Sequence, residues 1–477
     1  MTPVPDCPSD AALAEPCAPK PTRAWTIGVV LAVSLGFVMA MLDVTVVNVA
    51  LGSIQQEFNA PLSELVWVID AYTLTFAALL LLGGALANRL GAKRTYMIGL
   101  AWFVAASVFC GIANSGVMLI AARLLQGIGA AFFMPSSLSL LTESFPDRVT
   151  RTKLLGIWGA IVGVAAGSGP FVGGLLVYNF GWRSIFYLNL PIGILGIILT
   201  SLFLRPSLRK AGVFDLASHA FIMVALAALS FVLIEGPTFG WFSTWILSAA
   251  AVAAFAFLMI VMRERSAAHP VIPHTLAHNA PFWALNGMGF LVNFVIFGEV
   301  FLVSLYLQKA HGASALVTGI DMLPIMGMFS LLNVWSGYLS NRWGERHVML
   351  IGLTGAIIGT SIAVLIGGGV PYWMLIAPIA LCNAGMGLAI PAMITGVMHE
   401  AGKNDANVGA ATLNANRQIG ALAGVAVMGI ALHLISNWTI SIRVGFGAFA
   451  VCFILAFALI WWRIPNRAAA TLKNAQT

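Results

Sequence analysis

Charge is scarce in this sequence. Asp, Glu, Lys and Arg make up 9% of the 477 residues, against about a quarter in a soluble domain. Hydrophobic residues make up 60%, and the mean hydropathy is +0.94. A water-soluble globule of this length has too little interior for so much apolar surface. A soluble enzyme, a secreted disulfide scaffold and a disordered chain are therefore excluded. Cysteine is scarce too. Of the five, Cys7 and Cys17 fall in the N-terminal tail and Cys110, Cys382 and Cys452 in apolar runs, none in CxxC spacing. Neither zinc nor redox chemistry is indicated. No GxxxxGK[ST] run is present, so ATP is not the driver. His399-Glu400 lacks the second histidine of HExxH, and His269, His274 and His278 fall in a proline-broken loop. No nucleophile–base constellation appears. The chain reads as a non-enzyme with no cofactor and no metal.

Long apolar runs are what the sequence does have. A membrane helix needs about 20 such residues. Fourteen runs qualify, near 25–50, 65–87, 95–113, 117–140, 152–178, 185–204, 217–236, 243–262, 281–304, 316–339, 348–368, 372–395, 408–433 and 443–463. An even number of spans puts both termini on one side. Of 24 Lys and Arg, 19 fall on the terminal side, three on the other, and Arg123 and Arg417 inside spans. That asymmetry predicts cytoplasmic termini. It also assigns the net charge of +7 to topology and anionic lipid rather than nucleic acid. Residues 1–24 and 466–477 read as cytoplasmic tails.

The chain repeats itself. Gly84, Asn88, Arg89 and Gly91 recur as Gly337, Asn341, Arg342 and Gly344, each 253 residues on. Gly127, Gly129 and Pro135 in span 4 are echoed by Gly385, Gly387 and Pro391 in span 12. Spans 1–6 (residues 25–204) therefore map onto spans 9–14 (281–465). Residues 205–280 form an insert of two helices. Repeated halves around a central interface are a transporter architecture, with the substrate site between them.

Four motifs make the pattern specific. They are Leu42-Asp43-Val-Thr45-Val-Val-Asn48 in span 1, the Gly84–Arg94 loop, Arg123-Leu-Leu-Gln126-Gly127-Ile-Gly129 in span 4, and Gly169-Pro170-Phe-Val-Gly173-Gly174 in span 5. Gly181-Trp182-Arg183 and Asn189-Leu-Pro191 follow. Together they resemble the major facilitator superfamily in its fourteen-span drug:proton antiporter branch. The resemblance implies an all-α integral membrane protein of two six-helix bundles plus two inserted helices, fourteen in all. It implies gating or relay by Arg123 and by the Gly169-Pro170 pair. It also implies a conformational role for the loop bearing Gly84, Asn88, Arg89, Gly91 and Arg94. The family usually carries Asp where this chain has Asn88 and Asn341, so the charge latch expected there becomes a neutral one.

An ionised side chain in a bilayer costs at least about 2.5–3.5 kcal/mol and persists mainly where it faces a cavity or a partner. Asp43, Asp70, Glu299 and Asp321 fall inside spans. Under the repeat, Glu299 corresponds to Asp43 and, roughly, Asp321 to Asp70. They are the candidate proton-coupling residues, Asp43 foremost, and are expected around one cavity. Burial of a carboxyl favours its neutral form, so such a group can load a proton on one face and release it on the other. Arg417 in span 13 is a second gating or relay candidate, placed to pair with Glu299 or to lie near the inner face. Asp43, Asp70, Trp67, Phe132, Phe133 and Trp158 are candidate substrate contacts, the aromatics as a pocket for flat ligands.

The expectation is an inner-membrane exporter that exchanges protons for small hydrophobic or amphipathic compounds. Its partners are the substrate, protons and the bilayer; a periplasmic adaptor is left open. A proton-coupled importer on the same fold and a non-transporting sensor or scaffold are the alternatives. The sequence does not choose a substrate.

Overall fold

The computed structural model describes residues 23–145, 147–207, 216–266 and 273–465. The tails lie outside these, save that Arg23 and Ala24 already belong to the first helix; His269 also lies outside the described residues.

Among the described residues, fourteen helices are long and apolar enough to cross a membrane. They are span 1 (Arg23–Phe58), span 2 (Leu62–Leu90), span 3 (Ala92–Gly111), span 4 (Gly116–Ser144), span 5 (Arg148–Phe180) and span 6 (Ser184–Phe203). The insert gives span 7 (Leu216–Phe239) and span 8 (Thr244–Ser266). The second half gives span 9 (Ala280–Ala310), span 10 (Ala315–Trp343), span 11 (Glu345–Ile366), span 12 (Trp373–Gly402), span 13 (Val408–Leu434) and span 14 (Trp438–Arg463). Side-chain oxygens of Ser115, Asp147, Asn279, Ser314 and Asn437 accept backbone N–H bonds at helix starts, as helix N-termini require.

Several boundaries differ from the hydropathy reading, and two of them have a visible cause. Span 1 runs eight residues past its apolar stretch. Its polar end is held because Glu57 takes an ion pair from Arg183 at 2.7 Å and a bond from Trp182 Nε1 at 2.7 Å. The expected loop after span 2 is mostly helix: residues 84–90 continue span 2, and Gly91 alone makes the joint. Gly91 has φ +93° and Gly344, its repeat partner, +83°. Left-handed backbone of this kind favours glycine.

The repeat extends to single bonds. Lys93 Nζ donates to the carbonyls of Leu204 and Ser201 at 2.5 and 3.2 Å, closing the end of span 6. Arg346, 253 residues on, donates to the Trp461 carbonyl at 2.8 Å near the end of span 14. Cations suit these positions because helix C-termini carry unsatisfied carbonyls and partial negative charge.

Spans 1–6 form one bundle and spans 9–14 the other. Span 7 packs on span 2 and on the helix containing span 13, bridging the two bundles. Leu74 and Ala78 of span 2, Leu226 of span 7 and Leu422 of span 13 share one apolar cluster there. Span 8 packs chiefly on span 7, and only 11% of its most apolar stretch is covered by protein. It is the outermost helix.

Candidate functional site

The halves meet along two seams, spans 5 with 10 and spans 2 with 13, and span 1 touches span 9. Bonds join spans 1 and 9 toward the end remote from the termini. Ser304 Oγ donates to the Asn48 carbonyl at 2.8 Å, and the Gly52 N–H donates to Gln308 Oε1 at 3.0 Å.

Span 5 lies close to two helices through its glycines. A Cβ on Gly169 would run into the Thr45 hydroxyl, and one on Gly173 into Val46 of span 1. A Cβ on Gly174 would meet the Ala315 carbonyl of span 10 at 2.5 Å, and one on Gly319 the Pro170 carbonyl. Pro170 has no N–H, so the Ala166 carbonyl lacks its usual helical partner. Lower down, Ser330 still bonds the Gly163 carbonyl at 3.0 Å. Beyond that the contact ends. Cβ atoms added at Gly156, Gly159 and Gly337 would meet nothing within 4 Å. The seam is closed from the far end to the middle and open toward the termini.

Inside the N-terminal bundle, Asp43 is 1% exposed. It is ion-paired to Arg123, and its other oxygen accepts from Gln126 Nε2 at 2.8 Å and Asn189 Nδ2 at 3.0 Å. Arg123 also donates to Gln126 Oε1 at 2.6 Å and to the Val68 carbonyl at 2.9 Å. Its guanidinium lies 4.6 Å from the Tyr72 ring centroid. Ser107 accepts from Gln126 and Asn189 at 2.9 and 3.2 Å. Spans 1, 2, 3, 4 and 6 thus converge on one ion pair. Gln126, Asn189 and Ser107 are members of the site that sequence reasoning missed, although the first two stood inside quoted motifs. Among the described residues the side chains of Thr45 and Asn48 donate only to carbonyls of their own helix.

The C-terminal bundle has a simpler counterpart. Glu299, 256 residues after Asp43, is 2% exposed. It accepts from Asn383 Nδ2 and, at 3.6 Å, from the Cys382 thiol, both on span 12. Among the described residues no cation touches it. The glycine pairs of spans 4 and 12 are offset by 258 residues, which lays Leu381 where Arg123 would be.

The other expected residues are dispersed. Asp70 is fully buried, and among the described residues neither oxygen has a hydrogen-bond partner. It lies on span 2 one turn from Leu74 and from Val66, which faces Gly429 of span 13. Asp321 is half-buried, and its carbonyl accepts from Tyr372 at 3.3 Å. The four carboxyls therefore do not ring one cavity: Asp43 and Glu299 are enclosed in separate bundles. Asp43 cannot touch a compound between the halves in this arrangement.

The aromatic pocket does not assemble either. Trp67 donates to Glu235 Oε1 of span 7 at 2.9 Å. Phe133 is buried against Tyr96 and Phe103 within the N-terminal bundle. Trp158 packs edge-on against Phe37 at 4.8 Å, and Phe132 lies beside Gly83 and Gly99. Asn88, Arg89 and Arg94 are exposed, and among the described residues they bond to nothing, so no latch forms. Arg417 forms no ion pair with Glu299. Among the described residues no group of three or more His, Cys, Asp or Glu could hold a metal ion.

Two helical bundles, buried charge within them and a cleft closed at one end define a membrane transporter fold. The Major Facilitator Superfamily model matches residues 33–425. The chain belongs to that superfamily. It is 44% identical to the methylenomycin A resistance protein of Bacillus subtilis (strain 168), over 92% of this chain and 95% of that protein. It is 43% identical to the methylenomycin A resistance protein of Streptomyces coelicolor, covering 92% and 93%. It is 31% identical to the tetracenomycin C resistance and export protein of Streptomyces glaucescens, covering 84% and 74%. Among solved structures, a bacterial homolog of the human lysosomal transporter Spinster shares the fold, with TM-score 0.67, 17% identity and coverage of 93% and 97%.

Proposed function

We propose that the protein exports small hydrophobic or amphipathic compounds from the cytoplasm in exchange for protons, by rocking its two bundles about the cleft. The observation that carries the proton coupling is Glu299, a carboxyl buried in the C-terminal bundle whose hydrogen-bond donors among the described residues, Asn383 and Cys382, are neutral. An uncompensated ion is expensive there, so the group responds to any change in its surroundings by taking or giving a proton. Asp70, buried without partners beside the seam, is the second such group. Asp43 with Arg123 acts as a relay and gate rather than a substrate contact. The names of the relatives support export of antibiotics and drugs.

The distribution of Lys and Arg supports a plasma-membrane protein with cytoplasmic termini, so the open end of the cleft faces the cytoplasm. The residues 25–204 and 281–465 are the moving units, and 205–280 bridges them. Span 5, glycine-tight against spans 1 and 10, seals the outer half. An importer lacks a supporting observation here.

Inside-out vesicles, acid inside and carrying a pH-sensitive dye, test the reading. Addition of an exported compound draws protons out and restores the dye's fluorescence. The response should vanish in Glu299→Gln. Its persistence in that variant removes Glu299 from the proton path. No response to any cationic, neutral or anionic drug removes proton exchange.

A further inference from the structure

Arg417 is the second arginine inside a span, and its surroundings differ from those of Arg123. Its stem passes Gly289 of span 9, where an added Cβ would meet Arg417 Cγ at 3.4 Å and Met393 Sδ of span 12 at 3.5 Å. It therefore lies among spans 9, 12 and 13, in the half of the molecule where the seam is open. Next to it, Asn416 donates to Asn286 Oδ1 of span 9 at 3.0 Å. Arg417 Nε is buried without a hydrogen-bond partner. Among the described residues of the C-terminal bundle, the acids are engaged elsewhere or distant. Glu345 faces His399, Glu400 accepts from Asn279 and Asp405 from Thr275. Glu299 lies ten residues along span 9 from Gly289, about 15 Å at helical rise.

A guanidinium placed in a membrane span without an acid is costly, and it invites an anion from outside the chain. We propose that Arg417 anchors a carboxylate on the transported compound, so that the substrates are amphipathic monocarboxylic acids. The planar fork of arginine matches a carboxylate through two parallel bonds. One cation balances one negative charge, which sets the acid as a monocarboxylate. This rests on the exporter reading. It adds a consequence: a proton moving in while a monoanion moves out transfers two elementary charges, both in the direction an inside-negative potential drives. Exchange for a monovalent cation transfers none.

The test uses the full chain in phosphatidylcholine nanodiscs, where no anionic lipid competes. Binding of radiolabelled 2-naphthoate, methyl 2-naphthoate and 2-naphthylmethylammonium compares one ring at three charges. The naphthoate should bind at least about tenfold more tightly than the other two, as for a hydrogen bond to a charged group. Arg417→Gln should lower it to the level of the ester and leave the ester unchanged. Arg417→Lys, which keeps the charge and loses the fork, should weaken it severalfold. Absent naphthoate binding, equal binding of all three, or a preference that survives Arg417→Gln overturns the proposal. If Arg417→Gln does not yield monodisperse protein, the wild-type ranking and the lysine variant decide. Naphthoate held through Arg417 but never moved outward would sink the exporter reading and leave the site. Outward movement of the ester or ammonium, indifferent to Arg417, would leave export and sink the site.

Discussion

In the N-terminal half the buried acid and base are bonded to each other, Gln126, Asn189 and the Val68 carbonyl bond the pair, and Ser107 holds Gln126 and Asn189 in place. In the C-terminal half the acid and base stand on different helices, Glu299 with Asn383 and Cys382, Arg417 beside Asn416 and Gly289. The repeat gives both halves the same helices and even the same capping cation on the sixth. It does not give them the same chemistry. A matched pair is rigid and electrically quiet. Unmatched groups are free to take a proton or an anion. The N-terminal half is thus built to hold geometry and the C-terminal half to exchange ligands.

Removing one member of the matched pair is the harshest way to test this contrast. Arg123→Ala leaves the Asp43 carboxylate buried and uncompensated, which costs about 3–5 kcal/mol. The loss of folded protein after heating in detergent should be large. Pairing Asp43→Asn with Arg123→Gln should recover most of it, since neutral amides retain hydrogen bonds without a buried charge. A double variant no better than Arg123→Ala would mean that the pair is not the source of the cost.

Much of the fold was legible because lipid imposes a one-dimensional code. Runs of apolar residues mark helices, cations mark the side, and the spacing of Gly84, Asn88, Arg89 and Gly91 marks the repeat. Asp43 and Arg123 stood out because charge in a span is conspicuous. What the sequence concealed depends on the rotation of each helix about its axis. Hydropathy carries no record of whether Asn189 and Gln126 turn toward Asp43 or away from it. The same rotation separates Trp67, Phe133 and Trp158, which looked alike as aromatics, into three environments. By charge alone Arg417 could pair with Glu299 or lie nearer the inner face, and the register of spans 9 and 13 sets the two apart.

The seam between the halves offers the next perturbation. Gly174→Ala places a methyl against the Ala315 carbonyl, a backbone atom that cannot turn aside. Overpacking of this kind costs about 1–3 kcal/mol, charged against the arrangement closed at the far end. Spin labels on the far ends of spans 5 and 10 should report wider separations than in the parent. Gly159→Ala, which meets nothing within 4 Å here, should leave that distance unchanged. Equal responses to both substitutions would mean that the seam is not closed at one end only.

The smallest expected effect on stability gives the sharpest comparison, because the same neutralisation is made in both halves. Glu299→Gln keeps the volume and one oxygen to accept from Asn383, its amide NH2 turns to the Cys382 sulfur, and it strands no cation. Its cost should stay within about 1 kcal/mol, the scale of one neutral hydrogen bond. Asp43→Asn also keeps its shape, but it leaves Arg123 as a buried, uncompensated charge and should cost several-fold more. Transport should sort differently from stability. Glu299→Gln should abolish uphill, proton-driven export while compound exchange down its own gradient continues, since the cleft is intact. Parallel thermal-stability and counterflow measurements on the two variants decide it. If the two substitutions destabilise equally, the acid of the C-terminal half has a cationic partner after all, and the assignment of the proton to Glu299 fails with the asymmetry that motivated it.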